Sequence, residues 1–202
     1  MDICNLYPGG FASCCYLLCE ESDAVLIDCS APVSAVKAEL DKRGLTLRAI
    51  LCTHGHFDHI LTADELREAL HVPLYIHEED AEMLTDSRKN AHSLFFGTER
   101  TWHPAEHTCC DGERLAFGAL SLTVMSTPGH SKGSSVFLTD GILLTGDTLF
   151  VGGYGRTDLH GGDTAALVRS LQALSCLPEE AVVYPGHGEH GTLSEALEQF
   201  RS

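Results

Sequence analysis

Short apolar runs alternate with helix-like stripes along most of this chain. Apolar runs bounded by turn residues predict strands at Cys14–Cys19 and Ala24–Asp28, separated by the turn Glu20-Glu21-Ser22-Asp23. From Pro32 to Lys42 the period becomes helical: Val33, Val36 and Leu40 share one stripe, Pro32 stands near its start and Gly44 beyond its end. Leu47–Cys52 reads as a strand, Ile60–Leu70 as a helix, Pro73–Ile76 as a strand and Glu78–Leu84 as another helix. Asp86 to Glu106 carries no clear period. This polar stretch, with Phe95, Phe96 and Trp102, reads as a mobile lid or as a covering loop. Strands resume at Ala119–Ser126, Ser134–Leu138 and Ile142–Leu144, and a glycine-rich loop runs from Gly146 to Gly162. A helix over Asp163–Leu174 with Asp163 as its cap, the strand Ala181–Tyr184, a loop from Pro185 to Gly191 and a helix over Leu193–Phe200 complete the pattern. No linker, low-complexity tract or long repeat interrupts it, so the pattern predicts one mixed α/β domain over residues 1–202.

Composition narrows the function classes. A chain of 202 residues buries roughly 70% of its unfolded surface and needs no covalent staples. Thirteen Lys and Arg against 29 Asp and Glu leave a formal charge of −16. Such a surface repels phosphate backbones and anionic membranes, which argues against both partners. The nine cysteines are odd in number, lack zinc-knuckle spacing and sit mostly inside apolar runs, where Cys acts as a small hydrophobe. The first basic residue is Lys37 and no apolar run approaches a membrane span. A reduced, cytoplasmic protein without a signal peptide is the expectation.

Histidines and aspartates crowd the ends of the predicted strands. His54, His56, Asp58 and His59 follow the strand ending at Cys52, with Gly55 giving the backbone room to bend. Residues two apart do not share a helix face, but in a loop His54 and His56 converge on one ion while Asp58 and His59 turn to a neighbouring one. His130, Asp147 and His187 stand at three further strand ends, each directly after a glycine, where missing side-chain bulk lets backbone approach an ion. Four strand-end loops delivering seven candidate ligands imply two metal sites bridged by a carboxylate. Imidazole and carboxylate donors suit zinc, with iron or manganese as alternatives.

On these residues the chain resembles the metallo-β-lactamase superfamily, and within it the small glyoxalase II-like hydrolases. The resemblance extends from the opening hairpin to Gly188 and rests on Thr53 to His59, followed in order by His130, Asp147 and His187. Gly146-Asp147-Thr148-Leu149-Phe150, Gly155-Arg156-Thr157-Asp158-Leu159 and Pro185-Gly186-His187-Gly188 look like the glyoxalase II and persulfide dioxygenase branch. The resemblance implies a four-layer αββα sandwich of two mixed sheets flanked by helices, with the site at one edge. It assigns His54, His56 and His130 to one metal, Asp58, His59 and His187 to the other, and Asp147 to both. Ile60-Leu61-Thr62 and Ser131-Lys132-Gly133-Ser134 depart from the family's usual residues, so the helix after His59 is expected to start differently. The resemblance also leads to the expectation of a single domain without the helical C-terminal domain that helps hold glutathione in larger relatives.

The implied activity is hydrolysis of a small-molecule thioester. Two cations held close together lower the pKa of a shared water from about 15.7 toward neutrality, and thiolate leaves without a dedicated protein acid. Asp58 and Asp147 are the candidate catalytic carboxylates, Asp58 also orienting the hydroxide. Asp28 is a supporting partner or a turn cap. Arg156 and Lys132 stand out in motif loops as receivers of a substrate carboxylate; the alternatives are a structural ion pair of Arg156 with Asp158 or Asp163 and a solvated Lys132. Two other classes remain: a mononuclear iron persulfide dioxygenase using His54, His130 and Asp147, and a non-enzymatic metal-binding module. The remaining histidines carry no spacing argument.

Overall fold

The computed structural model describes residues 1–7 and 9–200. Period-two alternation decides its layering, because neighbouring residues of one strand enter different cores. In β2 (Tyr16–Glu20) Leu17 points to one core and Leu18 to another. In β3 (Asp23–Ile27) Leu26 and Ile27 divide in the same way, as do Ile50 and Leu51 in β4 (Thr46–Leu51). A strand buried on both faces is a continuous apolar run, which is how these segments read in sequence.

The first sheet has the order β1-β2-β3-β4-β5-β6, with β1 at Asp2–Asn5, β5 at Leu74–His77 and β6 at His107–Cys109. Pairing is antiparallel through β3 and parallel from β3 to β6. The second sheet contains β7 (Arg114–Phe117), β8 (Leu120–Ser126), β9 (Ser135–Thr139), β10 (Ile142–Gly146), β13 (Val182–Pro185) and β14 (Gly191–Thr192), ordered β14-β13-β10-β9-β8-β7. Only β10 and β13 are parallel there. A ribbon of β11 (Leu149–Phe150) and β12 (Gly153–Tyr154) follows β10.

Three apolar cores make four layers. The outer face of the first sheet packs on α1 (Val33–Arg43) through Val36 and Leu40 and on α2 (Ala63–Leu70) through Ala63 and Leu66. Between the sheets lie Leu18, Ile27, Leu51, Leu122, Val124, Phe137 and Leu144. Beyond the second sheet, Leu167, Leu171 and Leu174 of α4 (Thr164–Leu174) and Leu193 and Leu197 of α5 (Leu193–Leu197) cover Val136, Leu143 and Val183. The arrangement is the αββα sandwich expected.

The sequence pattern differs from the structure at identifiable places. Edge strands β1, β6 and β7 escaped it because they are short and half-polar. The helix expected from Ile60 begins at Ala63, after a 3-10 turn at Phe57–His59. Thr62 holds the junction by donating its hydroxyl to the carbonyls of Cys29 and Ala31. Glu78–Thr85 winds as a 3-10 helix rather than an α-helix. The aperiodic stretch after Asp86 is a packed cover: Trp102 is buried, its backbone N–H donates to the Leu84 carbonyl, and α3 (His92–Phe96) stands on Phe57. Asp163 caps α4 as expected, accepting from the Ala166 N–H. All nine cysteines are free thiols, and Cys14, Cys15, Cys19, Cys29, Cys52 and Cys109 are buried.

Phe137 is fully buried in the central core. Phe137→Ala is expected to cost about 3–5 kcal/mol, read as a lower urea midpoint at unchanged m-value.

Candidate metal centre

Parallel pairing brings the candidate ligands together. β3 and β4 run parallel in one sheet, and β8, β10 and β13 share a direction in the other. Their C-terminal ends meet at one rim. The backbone there is stitched across sheets, with Ser135 N–H donating to Thr53 O and Cys14 N–H to Gly186 O, while between loops of the first sheet Ser13 N–H donates to Asp58 O.

His54, His56 and His130 form one triad and Asp58, His59 and His187 another. His130 Nε2 lies 2.9 Å from His56 Nδ1 and 3.2 Å from His54 Nε2. In the second triad His187 Nε2 lies 3.2 Å from Asp58 Oδ2, and His59 Nε2 lies 3.8 Å from it. Asp147 stands between them, with Oδ1 3.2 Å from His59 Nε2 and Oδ2 3.5 Å from His130 Nε2. All seven residues expected to converge do so.

Outward-facing ring atoms fix which nitrogens point inward. His59 Nδ1 donates to Asp28 Oδ2 at 2.7 Å, and His130 Nδ1 donates to the Arg156 carbonyl at 2.7 Å. Thr53 Oγ1 donates to Asp28, so it is left to accept from His54 Nδ1 at 3.2 Å. The Nε2 atoms of His54, His59 and His130 therefore face the centre. Asp28, in left-handed backbone with φ 57°, also accepts from the Thr53 N–H. It is at once the turn residue and the support of His59.

The electrostatics are those of a cation site. Burial, with the neighbouring imidazoles, drives His54 far below its usual range, and burial followed by His130 drives His56 down to about 3. Burial opposes charge on His59, but Asp28, Asp147 and Asp58 outweigh it and push that imidazole well up. Burial likewise opposes ionisation of Asp147 and Asp58, and the adjacent imidazoles outweigh it and hold both carboxyls low. His59 Nε2 and Asp147 Oδ1 are buried and, though 3.2 Å apart, are not aligned for a hydrogen bond with each other or with another group. Two lone-pair nitrogens at hydrogen-bond distance and an orphaned carboxylate oxygen are the donor set a divalent cation satisfies. The residues fit the group.

The glycines before the ligands serve different purposes. A Cβ on Gly186 would overlap the Asp147 carboxylate and crowd the His59 ring, as the ion-approach argument requires. At Gly146 (φ 48°) a Cβ would instead strike the Thr53 side chain, and at Gly129 the backbone of Leu167 in α4. These two admit neighbouring structure rather than an ion.

Asp80 is the functional residue that sequence reasoning missed. It is buried, and its carboxylate accepts from the Gly55 N–H, the Gly133 N–H and the Ser131 hydroxyl at 2.6–3.1 Å. It thereby ties the His54–His56 loop to the His130 loop. Burial pushes its carboxyl up, and the three donors offset part of that. In sequence it is one acid in the run Glu78-Glu79-Asp80, with no spacing signal.

A cavity of about 370 Å³ opens onto His56, Asp58, His130, Asp147 and His187 and includes Arg156. Arg156 makes a two-pronged exposed pair with Asp158, at 2.6 and 2.7 Å. Lys132 is not brought into this cavity. It is exposed beside Gly161 and lines a separate recess with Glu79 and Asp163.

Asp147→Ala is expected to lower bound metal by more than one ion's share in elemental analysis, because one carboxylate faces both triads; near-normal occupancy would contradict the bridging role. Chelation is expected to lower the melting temperature in calorimetry, since a cation binds only the folded state that assembles the site. An unchanged melting curve after verified metal removal would contradict that coupling.

Residues 8–187 match the family model described as the metallo-beta-lactamase superfamily. The chain is 38% identical to the probable metallo-hydrolase YqgX of Bacillus subtilis over 86% of its length and 83% of that protein's. It is 27% identical to hydroxyacylglutathione hydrolase GloC of Haemophilus influenzae, over 91% of this chain and 88% of GloC. Among solved structures it resembles the BLEG-1 B3 metallo-beta-lactamase, 33% identical with a TM-score of 0.91 over 98% and 97% of the two chains. It also resembles TTHA1623 in a di-iron-bound form, 35% identical with a TM-score of 0.82 over 96% of each chain. By its sequence, and by a rim to which both sheets deliver candidate metal ligands, the chain belongs to the metallo-beta-lactamase superfamily.

Proposed function

We propose that this protein is a metal-dependent thioester hydrolase of glyoxalase II type, holding two divalent cations, zinc or else iron or manganese. His54, His56 and His130 would hold one, Asp58, His59 and His187 the other, and Asp147 both. Bound there, such cations polarise a carbonyl oxygen and acidify a coordinated water. Asp28 and the Arg156 carbonyl keep the imidazoles aimed by holding their Nδ1 protons. In the reaction a water oxygen bonds to the acyl carbon, the carbon–sulfur bond breaks, and a carboxylic acid and a thiol leave.

The observation that carries this reading is the cavity's lack of a spare proton donor. Apart from the candidate ligands, Arg156 is the one ionisable residue lining it among the described residues. A leaving group that departs unassisted must be stable as an anion. A thiolate, from a thiol of pKa about 8.5, meets that condition and an amine does not. The likeness to GloC, named a hydroxyacylglutathione hydrolase, supports the same chemistry. The likeness to BLEG-1, named a B3 metallo-beta-lactamase, favours β-lactam opening as a second reading. Persulfide dioxygenation with one iron on His54, His130 and Asp147 would leave the Asp58–His59–His187 triad without a role.

Purified protein is assayed for metal content and against S-lactoylglutathione, an uncharged truncated thioester, a chromogenic cephalosporin and glutathione persulfide. Thioester turnover with two ions per chain is the expected result. One iron with oxygen consumption would establish the dioxygenase instead, cephalosporin turnover without thioesterase activity the lactamase, and no turnover a binding module. The truncated thioester is expected to match S-lactoylglutathione in kcat/KM. Arg156→Ala is expected to lower kcat/KM equally for carboxylate-bearing and neutral thioesters, because Asp158 already pairs with its guanidinium; a loss about tenfold greater for the carboxylate-bearing ones would make Arg156 a substrate contact instead.

A further inference from the structure

The mouth of the cavity is lined by aromatic rings. Phe57 follows His56 directly and is buried, with its ring 5.5 Å from that of Phe95 and 5.3 Å from that of Phe96. Phe95 and Phe96 belong to α3 and are each 51% exposed, while Phe11, which also lines the cavity, is 81% exposed. Leu159 closes the same wall. Arg156, the one Lys or Arg lining the cavity among the described residues, sits over the Phe95 ring with its guanidinium 6.0 Å from the centroid, and Asp158 neutralises it. An anionic substrate tail would have to displace Asp158 and approach a chain of net charge −16. Apolar groups meet no such obstacle and would cover rings that otherwise stay in water.

Resting on the thioesterase reading, we propose that the wall of Phe57, Phe95, Phe96 and Leu159 is an acyl-group subsite, and that the substrate class is thioesters of neutral, ring-bearing carboxylic acids. The lining rings differ in burial, and that difference sets the direction. Phe57, directly after His56, is buried with the Phe95 and Phe96 rings against it, a packed surface that holds a group in place. Phe11 stands mostly in solvent, into which a thiol departs. The loop bearing Phe11 is anchored by Ser13 N–H to Asp58 O and Cys14 N–H to Gly186 O, so this rim is positioned against the second triad. At about 370 Å³ the cavity lies near the small end of ligand sites and suits one ring and its linker. The reaction balances as hydrolysis: water provides the oxygen bonded to the acyl carbon, the carbon–sulfur bond breaks, and the aryl acid and the thiol are released.

The test holds the thiol constant as N-acetylcysteamine and compares 3-phenylpropanoyl with lactoyl thioesters, on wild type, Phe95→Ala, Phe96→Ala, the double variant and Phe95→Leu. At least a tenfold kcat/KM preference for the phenylpropanoyl thioester is expected, falling about tenfold in the double variant and partly restored in Phe95→Leu. Equal rates for the two acyl groups in wild type, or a preference unmoved by the double substitution in protein with wild-type circular dichroism, would overturn the subsite. A preference that follows the thiol when the acyl group is held constant would overturn its direction. Calorimetric titration with 3-phenylpropanoate and with lactate separates this proposal from the thioesterase reading. Should no thioester turn over, tighter binding of 3-phenylpropanoate that is lost in the double variant still upholds the subsite, and equal binding overturns it. Light scattering supplies the last arm: a changed oligomeric state in the double variant without altered selectivity would make this face a contact between copies of the chain.

Discussion

Five imidazoles and two carboxylates share one largely buried volume, and the rest of the structure is organised around making that tolerable. Ionisable groups taken from water are costly unless paired. Here the pairing is outward as well as inward. Asp28 holds His59 and Thr53, Thr53 holds His54, and the Arg156 carbonyl holds His130. With those protons committed, His54 and His130 turn lone pairs inward, and His54 and His56 stay neutral far below the usual histidine range. The opposed behaviour of His59, pushed up by three carboxylates, marks the side of the cluster where negative charge is concentrated.

Such a cluster needs a frame that does not relax away from it, and three separate cores provide one. β2, β3, β10 and the site end of β4 are buried on both faces, so shifting one of them by one residue would exchange two apolar sets at once. Register is therefore strongly specified where the ligand loops emerge. Asp80 adds a polar tie of the same kind, joining two loops that belong to different sheets through a single buried carboxylate. Cross-sheet bonds at Ser135 and Cys14, with the Ser13 bond between loops of the first sheet, complete the rim.

The cover over the centre is made by the stretch that showed no period. Trp102 sinks into the core and α3 rests on Phe57, so this segment is packed structure that also walls the cavity. A segment that must place some rings inward against the protein and others at an opening cannot follow one helical or strand period. Its irregular hydrophobicity is the consequence of doing both.

Much of this was legible beforehand, for definable reasons. Strands buried on both faces announce themselves as unbroken apolar runs, and Asp163 before an amphipathic stretch announces a helix start. Histidines and aspartates at four strand ends named the candidate ligands, because metal binding requires particular donor atoms that few other residues supply. What sequence could not contain is which atoms face one another. Asp147 presents an oxygen to each triad only because β10 ends beside β4 and β13 across the sandwich rim. Asp80 and the Arg156 carbonyl act on residues distant in sequence, one through an acid in an ordinary acidic run and the other through a backbone atom that every residue has. Lys132 and Arg156 both looked like substrate cations in motif loops, yet only Arg156 reaches the cavity. Local chemistry is written in the residue types; its direction in space is set by long-range packing, and that only the tertiary structure decided.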